Sequence, residues 1–187
     1  KMNAMPFLGV YFGCRVDRTF PKDKTDWREM GWDGSLHFIM LPNVETSEKT
    51  VLHEFGHFVD DVFFRENFLV LMSKDCTAKR AHEFKDLHDE MRMEFLKVHS
   101  DGFSVLSEEQ HEKEDWYMEV PSEIWISRAP SRYALLTFSE WVAESFSLYY
   151  RDAKSLESIC PATFKFLKYA LSGEVFVTDA VPEDTMK

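Results

Sequence analysis

The stretch KTVLHEFGHFVDDVFF, from Lys49 to Phe64, constrains this chain more than any other part of its sequence. It contains two histidines and a glutamate in the order His-Glu-x-x-His, and its apolar residues recur at helical spacing. Residues four apart on a helix lie on one face, so His53 and His57 would project side by side towards a single ion. The pattern therefore predicts a helix from about Thr46 to Phe64 that carries a metal site.

The chemistry that this pattern typically supports is zinc binding with an adjacent general base. Zinc binds imidazole nitrogen at about 2.0–2.1 Å, and Glu54, about 100° around the helix from His53, could contact a water molecule on the ion. One Zn²⁺ per chain is expected; a pair of surface histidines on a core helix is the alternative. Gly56 costs a helix about 1 kcal/mol relative to alanine. Close approach of another helix or a substrate would compensate, and a flexible kink is the other interpretation.

A catalytic zinc site needs a third protein ligand and one open position. The segment TFSEWVAESF places Glu140 and Glu144 four residues apart on a second predicted helix, from about Thr137 to Tyr150. One carboxylate could bind the ion while the other orients a histidine. Because Thr137 and Glu140 also fit a capping box, Glu140 could instead cap the helix and leave Glu144 as the ligand.

Asp60, three residues after His57, is a further candidate beside the site. Its short side chain favours a supporting position, in which it accepts the second ring N–H of a ligand histidine. An exposed aspartate with no such role is the alternative.

The rest of the chain predicts a mainly helical α+β fold with a small N-terminal sheet, in a single domain over residues 1–187. The predicted strands are LGVYFGCRV, SLHFIMLP and EVFVTD, and two further helices cover residues 78–98 and 161–173. The apolar stripe of the first of these helices consists of Phe84, Leu87, Met91, Phe95 and Val98. A polar, acidic connector follows at about residues 100–118, where a short capped helix is predicted to begin at Ser107. We expect this acidic stretch to be a solvated face or a mobile loop, and an acidic rim beside a cleft is the alternative.

The charge balance restricts the class of partner. A formal net charge of -11 argues against binding to a nucleic-acid backbone and suits a peptide partner with basic residues. No apolar run approaches the roughly 20 residues of a membrane span, and we expect a monomer. Three cysteines are too few for a disulfide framework, although the sequence leaves open whether Cys76 or Cys160 forms a bridge.

Two blocks of the sequence, HEFGHFVDD and YALLTFSEWVAESF, resemble the catalytic domains of lethal factor-like zinc metalloproteases and, more loosely, the secreted Pro-Pro endopeptidases. In that family a tyrosine stands seven residues before the zinc-binding glutamate, and a second glutamate follows four residues after it. Tyr133, Glu140 and Glu144 match this spacing, and PATFKFLKYAL resembles the family's C-terminal helix. The segment of about residues 65–130 is longer than the family leads us to expect.

The resemblance implies a zincin-like domain that hydrolyses peptide bonds. The implied ligands are His53, His57 and Glu140. Glu144 would contact a ligand histidine without binding the metal itself. Glu54 would be the general base, and Tyr133 would stabilise the oxyanion. The resemblance also implies a secreted or delivered effector, of bacterial origin, whose targeting signal lies outside this fragment. A non-catalytic binding module on a degenerate peptidase scaffold is the rival function, although such a module would not need Glu54.

Two expectations concern the substrate. The stretch GSLHFIML is expected either to bind an extended peptide along an exposed strand edge or to be an ordinary core strand. The long acidic segment is expected to gate access to the site.

Overall fold

The computed structural model describes residues 9–12, 31–33, 38–41, 47–60, 64 and 78–172. Most of these residues are helical, which confirms the mainly helical prediction. The helices are α1 (Glu48–Phe58), α2 (Ala78–Ser104), α3 (Glu108–His111), α4 (Ser122–Trp125), α5 (Phe138–Ile159) and α6 (Pro161–Leu171), with 3₁₀ turns at Trp116–Glu119 and Tyr133–Leu135. In this part of the chain no helix is both long and apolar enough to cross a bilayer. The predicted strand EVFVTD lies outside the described residues, and the single domain and the monomer stay predictions.

Among the described residues, three short strands precede the helices: β1 (Gly9–Phe12), β2 (Gly31–Asp33) and β3 (Phe38–Leu41). Their order is β1-β3-β2, with β3 parallel to β1 and antiparallel to β2. Peptide addition requires a strand with a free edge, but β3 is paired on both sides. For residues 38–41 the expectation of an exposed edge is therefore wrong, while residues 34–37 lie outside the described part of the chain and the alternative, an ordinary core strand, stays a prediction.

Helix α1 begins where the sequence predicts and changes from α to π geometry before the predicted end. Ser47 is its N-cap, and the Ser47 side chain accepts a hydrogen bond from the backbone N–H of Thr50 at 3.2 Å. The α-helix stops at Phe58, and the backbone widens into a π-type turn at residues 59 and 60. Phe64 also has π-helical geometry, so the predicted helix end is confirmed, whereas apolar spacing did not reveal the change from α to π geometry.

Helix α1 packs along α5 at very short range, and Gly56 makes this possible. A Cβ atom on Gly56 would lie 2.6 Å from Ala143 Cα and 2.9 Å from Ala143 O, so no side chain larger than hydrogen fits. This confirms the predicted close approach of another helix. Ser147 adds a tie between the same helices, because its hydroxyl donates to the backbone carbonyl of Lys49 at 3.1 Å.

Helices α2, α5 and α6 form the larger part of the described core. All five residues of the predicted α2 stripe are buried: Phe84, Leu87, Met91, Phe95 and Val98. Glu94 of α2 caps the N-terminus of α6 by accepting the backbone N–H groups of Ala162 and Thr163 at 3.2 and 2.9 Å. The Thr163 hydroxyl donates to Glu94 at 2.7 Å and accepts the indole N–H of Trp141 at 2.9 Å. One buried polar network thus fixes three helices against each other.

Helix α5 extends beyond the predicted end at Tyr150, with a break near that point. Asp152 leaves helical geometry, and its carboxylate accepts the backbone N–H of Ser155 at 3.1 Å. It therefore acts as a new N-cap inside the long helix. The part of α5 before this break carries both candidate glutamates.

The acidic connector is a folded segment with short helices and turns. The capping box predicted at Ser107 is present: its hydroxyl accepts the N–H of Gln110, and the Gln110 side chain accepts the N–H of Ser107 at 2.9 Å. Leu106 and Trp116 are buried and anchor the segment to the core. Its acidic side chains are exposed, as expected of a solvated face: Glu108, Glu109, Glu112, Glu114, Asp115 and Glu119.

Cys160 is a free, buried cysteine between α5 and α6, which answers the disulfide question for this residue. Its thiol donates to the carbonyl of Arg128 at 3.5 Å, and burial raises the pKa of the thiol well above its ordinary value. Cys14 and Cys76 lie outside the described residues.

Candidate metal centre

Three potential ligand atoms from α1 and α5 meet at one point. His53 Nε2 lies 3.1 Å from His57 Nε2 and 3.2 Å from Glu140 Oε2, and His57 Nε2 lies 3.4 Å from the same oxygen. A tetrahedral ion with ligand bonds of about 2.0–2.1 Å holds its ligand atoms about 3.3 Å apart. The group of His53, His57 and Glu140 could therefore hold a metal ion.

The partners of the remaining ring nitrogens determine the tautomers of both histidines. His53 Nδ1 lies 2.9 Å from Glu144 Oε1, and because an ionised carboxylate can only accept, this Nδ1 carries the proton. His57 Nδ1 lies 3.1 Å from Ser139 Oγ, whose own proton is donated to Asp60 Oδ2 at 3.2 Å. The Ser139 oxygen therefore accepts the Nδ1–H of His57. In the neutral form, both rings then point an Nε2 lone pair at the shared centre.

Glu140 supplies the third lone pair. When both imidazoles are neutral, its buried Oε2 atom accepts no hydrogen bond from the described residues, because the two Nε2 atoms that face it carry no proton. A buried acceptor that faces two further acceptors is costly unless a positive charge is shared between them. The donor set thus fits a cation at this position.

A proton is the simplest cation that this site attracts. Burial lowers the pKa of His53, but its hydrogen bonds to Glu140 and Glu144 outweigh burial and raise the pKa to about 9. Burial is the largest influence on each glutamate and raises its pKa, but the hydrogen bond to His53 together with the other hydrogen bonds and positive charges around each carboxylate outweighs burial, so both pKa values are lowered to about 2. Both carboxylates are therefore ionised across the neutral range, and a metal ion would compete with a proton for His53 Nε2.

The structure separates the roles of the two glutamates. Glu140 reaches the Nε2 side of the histidines, whereas Glu144 reaches only Nδ1 of His53 and pairs through its other oxygen with Lys49 Nζ at 3.1 Å. Thr137 does cap α5 by accepting the Glu140 backbone N–H at 3.1 Å, yet the Glu140 carboxylate still faces the histidines. Glu140 therefore does more than cap the helix, and it is Glu140, not Glu144, that lies with both histidines in the group that could hold a metal ion.

Glu54 and Tyr133 border the same centre. Glu54 is buried on α1 directly after His53, and its charge is one of the influences on the Tyr133 phenol. That phenol donates to Glu140 Oε1 at 3.3 Å, and its ring lies 5.8 Å from the His53 ring. Burial and the Glu140 charge raise the pKa of Tyr133 above its ordinary value, so the phenol keeps its proton. Because Tyr133 is 37% exposed, a molecule from solution can reach it.

Sequence reasoning placed Asp60 directly on a ligand histidine, and the structure interposes Ser139 between them. No sequence signal marks Ser139, since a serine in the first turn of a helix is common for other reasons. Tyr117 was also missed. Its ring packs edge-on against Tyr133, with ring centres 5.4 Å apart, and brings the end of the acidic connector against the site.

Comparison of the chain with protein-family models, with curated proteins and with solved structures finds no match. The functional argument therefore depends on the geometry of His53, His57 and Glu140 and on the groups around them.

Proposed function

We propose that this chain is a zinc-dependent endopeptidase. The observation that carries the proposal is the triangle of His53 Nε2, His57 Nε2 and Glu140 Oε2, with sides of 3.1, 3.2 and 3.4 Å. Two imidazoles and one carboxylate form a donor set that is typical of catalytic zinc, which keeps one further position for water or substrate. An ion held there would polarise a peptide carbonyl and lower the pKa of a water molecule.

The chain's own side chains supply the proton transfers. Glu54, next to His53 on α1, accepts a proton from the attacking water and delivers it to the leaving amine. Water oxygen bonds to the carbonyl carbon, the C–N bond breaks, and no covalent intermediate with the protein forms. Tyr133 donates a hydrogen bond to the oxygen on which negative charge develops. His53 and His57 are held in their ligand tautomers by Glu144 and by Ser139 with Asp60.

A zincin-like fold and a role as a secreted or delivered bacterial effector belong to the same proposal. Their support is the resemblance carried by HEFGHFVDD and YALLTFSEWVAESF, together with the position of three short strands ahead of α1. The match of Tyr133, Glu140 and Glu144 to the family's spacing is supported by their shared location at one centre.

The substrate class within this proposal is a peptide with basic residues near the cleaved bond. Residues 101–126 contain eight acidic residues and one lysine, a balance of 1 − 8 = -7 out of the net -11 of the whole chain. This segment reaches the candidate site through Tyr117. A surface of this sign attracts Lys and Arg side chains and raises the rate of encounter with them.

The experiment uses the purified chain, its Glu54→Gln and Glu140→Ala variants, and a matched exposed control, Glu108→Gln. Zinc content after dialysis and cleavage of a diverse peptide pool are measured for each protein. We expect wild type and Glu108→Gln to bind one zinc and cleave, Glu54→Gln to bind zinc without turnover, and Glu140→Ala to lose zinc. Sequencing of the products should show Lys or Arg enriched near the new ends.

Each outcome bears on a separate part of the proposal. A zinc-loaded wild type that cleaves no peptide in the pool would favour the binding module on a degenerate scaffold. Equal turnover by Glu54→Gln and wild type would remove Glu54 as the base. Products without enrichment of basic residues would overturn the substrate class but not the peptidase.

A further inference from the structure

The two ligand histidines are supported in different ways. His53 donates directly to a carboxylate, Glu144, which is itself paired with Lys49. His57 donates to a neutral hydroxyl, Ser139, and only through it reaches the carboxylate of Asp60. The second arrangement is a relay of two hydrogen bonds. The first, of 3.1 Å, joins His57 of α1 to Ser139 of α5, and the second, of 3.2 Å, joins Ser139 to Asp60, just after α1.

We propose that Ser139 is a positioning residue for metal binding: its hydroxyl, oriented by Asp60, fixes His57 as the Nδ1–H tautomer and so aims the Nε2 lone pair at the metal. The hydroxyl can serve as acceptor for His57 only while its own proton is committed elsewhere. Asp60 is buried and takes that proton. Ser139 acts through His57 and touches neither the metal nor the substrate.

Loss of the hydroxyl should affect the metal more than the fold. Without Ser139 Oγ, the Nδ1–H of His57 loses its acceptor, and the ring can rotate or change tautomer. Removal of such a supporting group typically weakens metal binding about 10–100-fold. We therefore expect Ser139→Ala to weaken the apparent zinc affinity within that range, and Ser139→Thr, which keeps the hydroxyl, to restore most of it.

Ser147→Ala is the matched control. Ser147 also lies on α5, and its hydroxyl also ties α5 to α1, but its acceptor is the Lys49 carbonyl and not a ligand histidine. Loss of the Ser147 hydroxyl removes one hydrogen bond between these segments, and loss of the Ser139 hydroxyl removes the two bonds of the relay. Only loss of the Ser139 hydroxyl should change zinc affinity, measured by competition with a chromophoric chelator, while thermal unfolding of the metal-free proteins reports the effect on the fold.

A second variant tests the relay as a unit. Asp60→Asn should also weaken zinc binding, since an amide no longer holds the serine proton as a carboxylate does. If the two residues act through the same histidine, the double variant should lose no more affinity than Ser139→Ala alone. Nitrogen-15 NMR of the metal-free protein adds a direct readout, because Ser139→Ala should alter the His57 ring signals and leave those of His53 unchanged.

The inference rests on the metal site of the proposed function but not on peptidase activity, so the two fail separately. If the wild-type protein binds zinc but cleaves no peptide, the peptidase proposal is wrong and the proposed role of Ser139 is unaffected. Unchanged zinc affinity in Ser139→Ala, an equal loss in Ser147→Ala, or losses for Ser139→Ala and Asp60→Asn that multiply would overturn the relay. A wild type that binds no zinc would overturn both.

Discussion

Proton positions at the candidate centre decide which atoms are free to act. Glu144 and Ser139 hold protons on the Nδ1 atoms of the histidines, and Tyr133 keeps its own because burial and the Glu140 charge raise its pKa. Once a metal ion has displaced the Nε2 proton of His53, the site therefore offers lone pairs on one side and a phenol donor on the other. That combination suits a reaction in which a cation and a hydrogen-bond donor share a developing oxyanion.

The proposed role of the Tyr133 hydroxyl can be tested by removing its oxygen atom in a phenylalanine variant. Tyr133→Phe should leave zinc binding intact, because Tyr133 contacts Oε1 of Glu140 and the metal-facing atom is Oε2. If the hydroxyl stabilises the oxyanion, kcat should fall by about 10²–10³-fold with little change in KM. Steady-state kinetics on a cleaved peptide, with zinc content measured in parallel, checks this. A kcat close to that of wild type would remove Tyr133 from the chemistry.

The residue scale also shows what the sequence could and could not decide. The i, i+4 spacing places His53 and His57 on one face, which the structure confirms. The same spacing places Glu140 and Glu144 on one face of α5, so it could not choose between them. That choice depends on how α5 lies along α1, which is a tertiary property. Ser139 was beyond prediction for the same reason, since its partners lie 82 and 79 residues away in sequence.

At the scale of elements, the centre exists because two helix backbones come very close. Histidines on α1 meet carboxylates on α5, and Gly56 sets the distance between the helices. The helix signal in the sequence was strong enough to predict both elements and the purpose of the glycine. Strand pairing was not readable in this way, because whether β3 has a free edge depends on its partners and not on its own residues.

Gly56→Ala should separate the helices and so damage the metal site. The new Cβ would meet backbone atoms of Ala143, which cannot move aside as a side chain can. Overpacking of this kind costs about 1–3 kcal/mol, and we expect the upper part of that range to exceed the helix-propensity gain of about 1 kcal/mol. Urea unfolding should show a less stable protein, and chelator competition should show weaker zinc binding.

Gly102→Ala is the matched control for that prediction. A Cβ on Gly102 of α2 would lie 3.2 Å from Val120 Cγ1, a side-chain atom that can shift by a few tenths of an ångström. The propensity gain then remains, so stability should be unchanged or up to about 1 kcal/mol higher. If Gly56→Ala were as stable as Gly102→Ala and bound zinc as tightly as wild type, the close approach of α1 and α5 would not be what forms the site.

For the whole molecule, negative charge is unevenly distributed. The acidic face of residues 101–126 is folded onto the core by Leu106 and Trp116. Deletion of residues 100–118 would therefore remove core residues as well as charge, and it cannot serve as a clean test of gating. Because Tyr117 packs against Tyr133, this segment borders the candidate site, and the peptide-pool experiment measures its influence on substrate preference.

The pH dependence of global stability follows from the same ionisable groups. In the metal-free protein, Glu140 and Glu144 have pKa values lowered from 4.5 to about 2, so their stabilising contribution is present above 4.5 and is lost as the pH falls towards 2. His53 has a pKa raised from 6.5 to about 9, so its contribution is complete below 6.5 and is lost as the pH rises through 9. The metal-free Tm should therefore be highest between these two limits and decline on either side.

Bound zinc should oppose the decline in Tm on the alkaline side of this profile. The ion needs the Nε2 lone pair of His53, which a proton occupies below its raised pKa, so zinc binding displaces that proton and strengthens as the pH rises. A ligand that binds only the folded state stabilises it by an amount that grows with the logarithm of its affinity, and so raises Tm. The difference in Tm between zinc-loaded and chelator-treated protein should consequently widen from pH 6 to pH 8.5, as calorimetry at a series of pH values would show. A difference that stays constant across this range would mean that zinc and the His53 proton do not compete, and the shared centre of His53, His57 and Glu140 would then be the wrong place for the metal.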